Sequence, residues 1–209
     1  MTFGGGFTTS TGGGGGGDTG DPLRFARFDA PTASSVNGLL TSTATTLAIV
    51  TYSLTVPGTH RRNVVVALGS RVGGYVGPWT LTGTILGVEA TESLTIPANG
   101  NATVVGKKCW DPGPLALARP AQLATDGSVQ VGLGDSIGLP AQAEESATPN
   151  FHGHLLSVID NGSVSVPADG VFGSIVGPSI AGGHGAYSVA SGHSIIGQTI
   201  EITYLGTVE

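Results

Sequence analysis

The chain has 209 residues, 36 of them glycine, with only 11% charged side chains and a formal net charge of -6, whereas an average soluble domain is roughly 25% charged. That balance argues against a nucleic-acid partner, because phosphate is held by clustered cations and the whole chain has eight Lys and Arg. A single cysteine, Cys109, excludes an intrachain disulfide and points to a reducing compartment.

Residues 1–22 carry glycine runs at 4–6 and 12–17, then Asp18, Asp21 and Pro22. A segment with so little apolar surface does not offset its own ordering entropy, so it reads as an arm outside the core. It lacks the basic and apolar regions of a secretory signal, and no stretch reaches the roughly 18 apolar residues that span a bilayer. The expectation is a protein made soluble in the cytoplasm. No Lys or Arg precedes Arg24, which suits the arm to protein contact and not to a genome. Phe3 and Phe7 are its apolar anchors. In the following Leu23-Arg24-Phe25-Ala26-Arg27-Phe28, Leu23 and Phe25 share one face of an extended strand while Phe28 leaves that register. A docking strand and an ordinary first strand are equally compatible with this pattern.

From about residue 40 the pattern is strand, turn, strand. Residues 46–56 are rich in β-branched and aromatic side chains and stop at Pro57-Gly58. Further strands are expected at 63–68, 79–88, 93–96, 102–105, 128–133, 154–159, 163–166, 171–176 and 199–205, and turn signals every 8–12 residues or so mark a sandwich or barrel. Helix-permissive stretches are confined to 115–123, broken by Pro120, and to 141–147. Ser93-Leu94-Thr95-Ile96-Pro97-Ala98-Asn99-Gly100 matches Ser163-Val164-Ser165-Val166-Pro167-Ala168-Asp169-Gly170 in residue type, and Ser53 to Gly58 is a shorter copy. One turn solution used three times is favoured over two related modules, about 40–125 and 126–209.

Candidate chemistry is sparse. His152-Gly153-His154 puts two imidazoles on one face of a strand, a partial metal site that lacks further ligands; the pair resembles the H-x-H of phage tail-tip needles, which implies a metal on a threefold axis. The more economical reading assigns no metal and no cofactor. Gly134-Asp135-Ser136-Ile137 resembles the nucleophile block of GDS-type esterases, but no Asp-x-x-His follows and the required helices are missing, so a polar turn between strands is expected. His60-Arg61-Arg62 reads as a solvated turn or a salt-bridge partner. Cys109, beside Lys107 and Lys108, reads as a half-buried structural thiol rather than an activated one. Glycines 12–17 lack the Gly-Lys-Ser/Thr of a phosphate loop. Glu144-Glu145 and Asp18/Asp21 form no calcium loop. The scattered Trp79, Trp110, Tyr52, Tyr75, Tyr187 and Tyr204 read as core or interface anchors and not as a sugar platform.

A glycine-rich arm, short strands with Pro and Asn-Gly turns, few lysines and no catalytic set give the chain an overall style that resembles small virion structural proteins of tailed phages. That resemblance implies a head decoration, minor capsid or tail component, a homo-oligomer with a trimer favoured, located in the virion. The expectation is an all-β fold, an antiparallel β-sandwich or barrel of jelly-roll or Ig-like type at 23–209 behind the arm 1–22, without enzymatic activity. Its partners would be protein subunits of a viral shell or tail, with no nucleic acid and no membrane, bound through Phe3, Phe7, Leu23, Phe25 and Phe28. The alternative is a tail fibre or receptor-binding protein that displays loops such as 182–185 to a host glycan.

Overall fold

The computed structural model describes residues 23–29, 31–69, 77–97, 100–123, 127–140, 155–160, 163–165, 173–176, 178–189 and 199–205. The elements in chain order are β1 (Leu23–Asp29), β2 (Ser35–Ala44), β3 (Val50–Val56), β4 (Arg62–Leu68), β5 (Trp79–Ile85), β6 (Val88–Leu94), β7 (Ala102–Val105), β8 (Gly113–Arg119), β9 (Ser128–Gly138), β10 (Leu155–Asp160), β11 (Ser163–Ser165), β12 (Gly173–Val176), α1 (Pro178–Ala181), β13 (Ala186–Val189) and β14 (Thr199–Leu205). The all-β expectation holds, and every paired strand is antiparallel. No helix of the described residues is long and apolar enough to cross a membrane.

Three sheets form. One runs β1-β14-β10-β11, a second β12-β13-β9-β4-β7 with β2 also on β9, and a third β3-β8-β5-β6. The 11-residue β9 organises the second sheet. One of its edges pairs with β4, and the other is shared by β2 over its first half and β13 over its last residues.

Period-two alternation explains the main core. Val64, Val66 and Leu68 of β4 and Val129, Val131 and Leu133 of β9 point to one side, where they meet Leu54, Leu81, Leu115, Leu117, Trp79 and Trp110 from and beside the third sheet. A second core lies farther along β9, where Ile137 and Leu139 pack with Ala26, Phe28, Tyr187, Ile200, Ile202 and Tyr204. One strand therefore contributes to both cores. It also ties the two halves 40–125 and 126–209 together, since β9 bonds to β4 and β2.

Several elements depart from the sequence reading. The helix-permissive run 115–123 is not helical, and its part 115–119 belongs to strand β8, because Leu115 and Leu117 alternate into the core and cross-strand packing outweighs the local helix preference of Leu and Ala. The single strand expected at 79–88 is a hairpin that reverses at Leu86-Gly87, with φ of 53° and 74°. Leucine rarely adopts that conformation; here the Asp111 carboxylate accepts the N–H groups of Leu86 at 2.9 Å and Gly87 at 2.8 Å and holds the turn. β2 and β13 carried too weak an alternation to be anticipated. Of the proline turns, the Asn99-Gly100 turn has the positive φ that an Asn-Gly turn needs, at Gly100 (77°), and Gly58 of the shorter copy has one as well (87°). The stretch 141–147 and the Asp169-Gly170 turn lie outside the described residues.

At Gly132 the β2 backbone approaches so closely that a Cβ would land on the Ser35 carbonyl. Gly132→Ala is expected to destabilise the protein by about 2–3 kcal/mol through overpacking, read as a lower urea midpoint; an unchanged midpoint would mean that β2 does not lie against β9 in this way.

Candidate functional site

The Gly134-Asp135-Ser136 block is not a turn between strands. It lies inside β9, where the register against β4 jumps from Val64↔Leu133 to Arg62↔Ile137 and extra β9 residues bulge out. Two of the side chains that secure this bulge, Arg61 and Arg62, come from the segment expected to be a solvated turn or salt-bridge partner, and Asn63 from the start of the strand expected after it. Arg61, Arg62 and Asn63 are all buried. Among the described residues neither arginine has an acidic partner in an ion pair.

Their hydrogen bonds go to backbone instead. Arg62 donates to the carbonyls of Gly134 and Thr32, and to Ser34 Oγ at 3.1 Å. Arg61 donates to the Leu139 carbonyl. Asn63 Oδ1 accepts the Ser136 N–H at 2.9 Å while its Nδ2 donates to the Gly106 carbonyl at 3.0 Å. Ser34 Oγ bonds both the Gly134 carbonyl, at 3.1 Å, and the Asp135 carboxylate. Burial pulls the Arg62 guanidinium down to about 10, opposed by nearby Cys109 and Asp135, so it still carries its proton at neutral pH. The Gly134 carbonyl of the bulge and the Thr32 and Leu139 carbonyls beside it thus find charged donors.

This network accounts for the serine and the cysteine without catalysis. Ser136 Oγ meets Ser188 Oγ at 3.2 Å, and its backbone N–H is held by Asn63. Cys109 is fully buried, beyond the half-burial expected, and burial pushes its thiol up to about 12 against the opposing pull of Arg61 and Arg62. A thiol so placed is unreactive at neutral pH. No three His, Cys, Asp or Glu side chains gather into a metal set among the described residues. Trp79, Trp110, Tyr187 and Tyr204 are buried in the cores, and Tyr52 packs partly buried against the first. Loop 182–185 is a tight turn closed by Gly185 N–H to the Gly182 carbonyl at 3.0 Å.

The surface carries more distinctive features. β1 is an edge strand of its sheet, and its alternation is opposite to the one an amphipathic first strand would show. Ala26 and Phe28 face the core, while Leu23 and Phe25 are 56% and 73% exposed. Phe28 is committed to the chain's own interior, edge-on to His60 at 5.5 Å, so it is not available to another subunit. On the outer side Arg27 pairs with Asp29 at 2.7 Å and Glu201 at 2.8 Å, exposed contacts that orient the strand's polar end and add little stability. Leu47, Ile49 and Leu123 are also exposed, and Gln122 N–H donates to the Leu47 carbonyl at 3.1 Å. Phe3, Phe7, His152 and His154 lie outside the described residues.

A groove of about 560 Å³ opens at the last strands of the other two sheets, β6 and β7, beside Lys107 and Lys108. Glu92 accepts the backbone N–H of Lys107 at 2.6 Å and of Lys108 at 3.4 Å. Burial raises its carboxyl above the usual range, and the two N–H groups and two ammonium groups only partly offset this.

Set against protein-family models, curated proteins and solved structures, the chain matches none. Its chemistry is therefore read from the geometry alone.

Arg62→Ala would leave the Gly134 and Thr32 carbonyls without their charged donor and is expected to cost about 3 kcal/mol, measured by urea unfolding; a loss within error would remove the arginine from the bulge's support. For Glu92 the folded-state value lies above the unfolded one, so its favourable contribution is complete below the unfolded value and is lost as pH rises through the folded value. Relative to Glu92→Gln, the wild-type chain should therefore gain thermal stability as pH falls from 7 to 4. A difference in Tm that is flat with pH, or runs the other way, would contradict the burial of this carboxyl.

Proposed function

We propose that this protein is a non-enzymatic structural component of a virion, most simply a capsid decoration or minor capsid protein that holds neighbouring protein subunits together. The observation that carries this reading is the outer face of β1. The glycine-rich arm leads directly into an edge strand that turns Leu23 and Phe25 to solvent while Phe28 fills the core. Exposing a phenylalanine forgoes roughly 2 kcal/mol of burial, and an exposed apolar edge invites pairing with another chain. The arm and this face form one continuous element for protein contact, with Phe3, Phe7, Leu23 and Phe25 as its anchors.

Mechanistically this is cementing. Two or more modest contacts made by one molecule raise the effective concentration of each, so retention on an assembly exceeds what any single contact provides. The weakly charged surface, rich in glycine and small hydroxyl residues, costs little to desolvate against other subunits. The two sheets that face each other across the Trp79 and Trp110 core are read as a β-sandwich, a rigid body from which the arm is offered. A homotrimer is the assembly this reading favours.

Immunogold directed at the chain should decorate purified virions in a regular array. A chain lacking residues 1–22, and separately the full chain with Leu23→Ser and Phe25→Ser, should each lose at least about tenfold in affinity for particles that lack the protein. Full retention by both variants would sink the reading. Binding of the isolated protein to host cells or to glycans would favour receptor recognition in its place.

A further inference from the structure

β6 and β7 each end their sheet, and what each leaves unpaired follows from register. The β5–β6 hairpin closes on a two-residue turn, so Ile85 and Val88 are a hydrogen-bonded pair. Alternation from there points the backbone groups of Glu89, Thr91 and Ser93 away from β5. On β7, Gly106 N–H donates to the Val64 carbonyl at 2.7 Å, and the same alternation points those of Thr103 and Val105 away from β4. The groove between the two sheets is bordered by Thr91, Ser93 and Val105, with Lys107, Lys108 and Ile180 also lining it. Lys108 Nζ donates to the Thr91 carbonyl at 2.9 Å. A side chain thus occupies an acceptor that the amide of an added strand would otherwise use, a device that blunts an edge. The Glu92 carboxylate takes its hydrogen bonds from the backbone N–H groups of Lys107 and Lys108 and not from their ammonium groups.

We infer that this groove receives the glycine-rich arm, residues 1–22, of a second copy of the chain, laid as an added strand between β6 and β7. The inference rests on the arm being the binding element and gives that element its site. Three observations select the occupant. The glycines at 4–6 and 12–17 have no side chains to clash between two backbone edges. Asp18 and Asp21 complement Lys107 and Lys108, in a chain with few other charges. The arm's 22 residues reach roughly 70 Å when extended, beyond the roughly 40 Å breadth of a folded chain of this length, so it spans to a neighbour. On docking, an arm carboxylate takes the Lys108 ammonium from Thr91, and the freed carbonyl accepts an arm N–H.

The test uses full-length chains. Lys107→Glu with Lys108→Glu, and separately Asp18→Lys with Asp21→Lys, should each weaken self-association at least about tenfold in sedimentation equilibrium. Mixing the two variants should restore association, because the reversed arm of one then fits the reversed groove of the other; a misfolded variant would not be rescued this way. Carbodiimide coupling in a mixture of ¹⁴N and ¹⁵N wild-type chains gives a readout free of substitutions, with mixed-isotope links expected from Lys107 or Lys108 to Asp18 or Asp21. Same-isotope links alone would show each arm in its own groove and overturn the second-copy occupant. Association that persists in both variants without such links would place the arm elsewhere, overturning the site while leaving the cementing role intact. No association and no links would overturn the inference, and virion binding would then decide the cementing role separately.

Discussion

Hydrogen bonding along both edges of β9 is the constraint on which the other elements depend. Val129, Val131 and Leu133 serve one core and Ile137 the other, while β4 occupies one edge and β2 and β13 divide the opposite edge. A strand bonded on both sides cannot slip by one residue without turning every apolar side chain to the wrong face. The bulge at 134–136 reconciles the two cores, because it takes up the register difference between β4 and the far end of β9. Its cost is backbone groups withdrawn from the ladder, and side chains meet them: Arg62 donates to the Gly134 carbonyl and Asn63 Oδ1 accepts the Ser136 N–H, while Arg61 donates to the Leu139 carbonyl just beyond. Buried charge at this point is a structural answer to a backbone problem.

Alternation made much of this fold legible. The strand at 128–133 and the block Val64, Val66, Leu68 were readable because apolar residues recur at period two, and they form the central pair. The same rule extended by one step would have found the buried arginines. Arg62 lies two residues before Val64, and Arg119 two after Leu117, each on the inward side, and both are buried. Reading Arg62 by charge alone gave the opposite environment. β8 was hidden because Leu and Ala favour helix locally, a preference that cross-strand packing overrides. β2 was hidden because Ser35–Ala44 is polar and pairs irregularly, its partner being chosen by the close approach at Gly132.

The surface features were less readable, for a physical reason. Sequence identifies Leu23 and Phe25 as sharing a face but does not say which face is covered, because that depends on β14 and the second core. Likewise Lys107-Lys108 is a plain dibasic pair in sequence. Its position beside two unpaired strand edges arises only when β6 and β7 terminate separate sheets, which is a long-range consequence of the β4 and β5 pairings.

The buried arginines also bear on how the protein meets its surroundings. Trypsin-like proteases need a Lys or Arg in an exposed, pliant stretch. Of the cations in the described residues, Arg61, Arg62 and Arg119 are sealed inside, Arg119 is followed by Pro120, and Arg24 and Arg27 belong to a paired strand. That leaves the Lys107-Lys108 segment as the accessible point of cleavage within the described fold. Using guanidinium groups as internal fasteners therefore removes them from the exterior and leaves the described fold few points that a trypsin-like protease can reach.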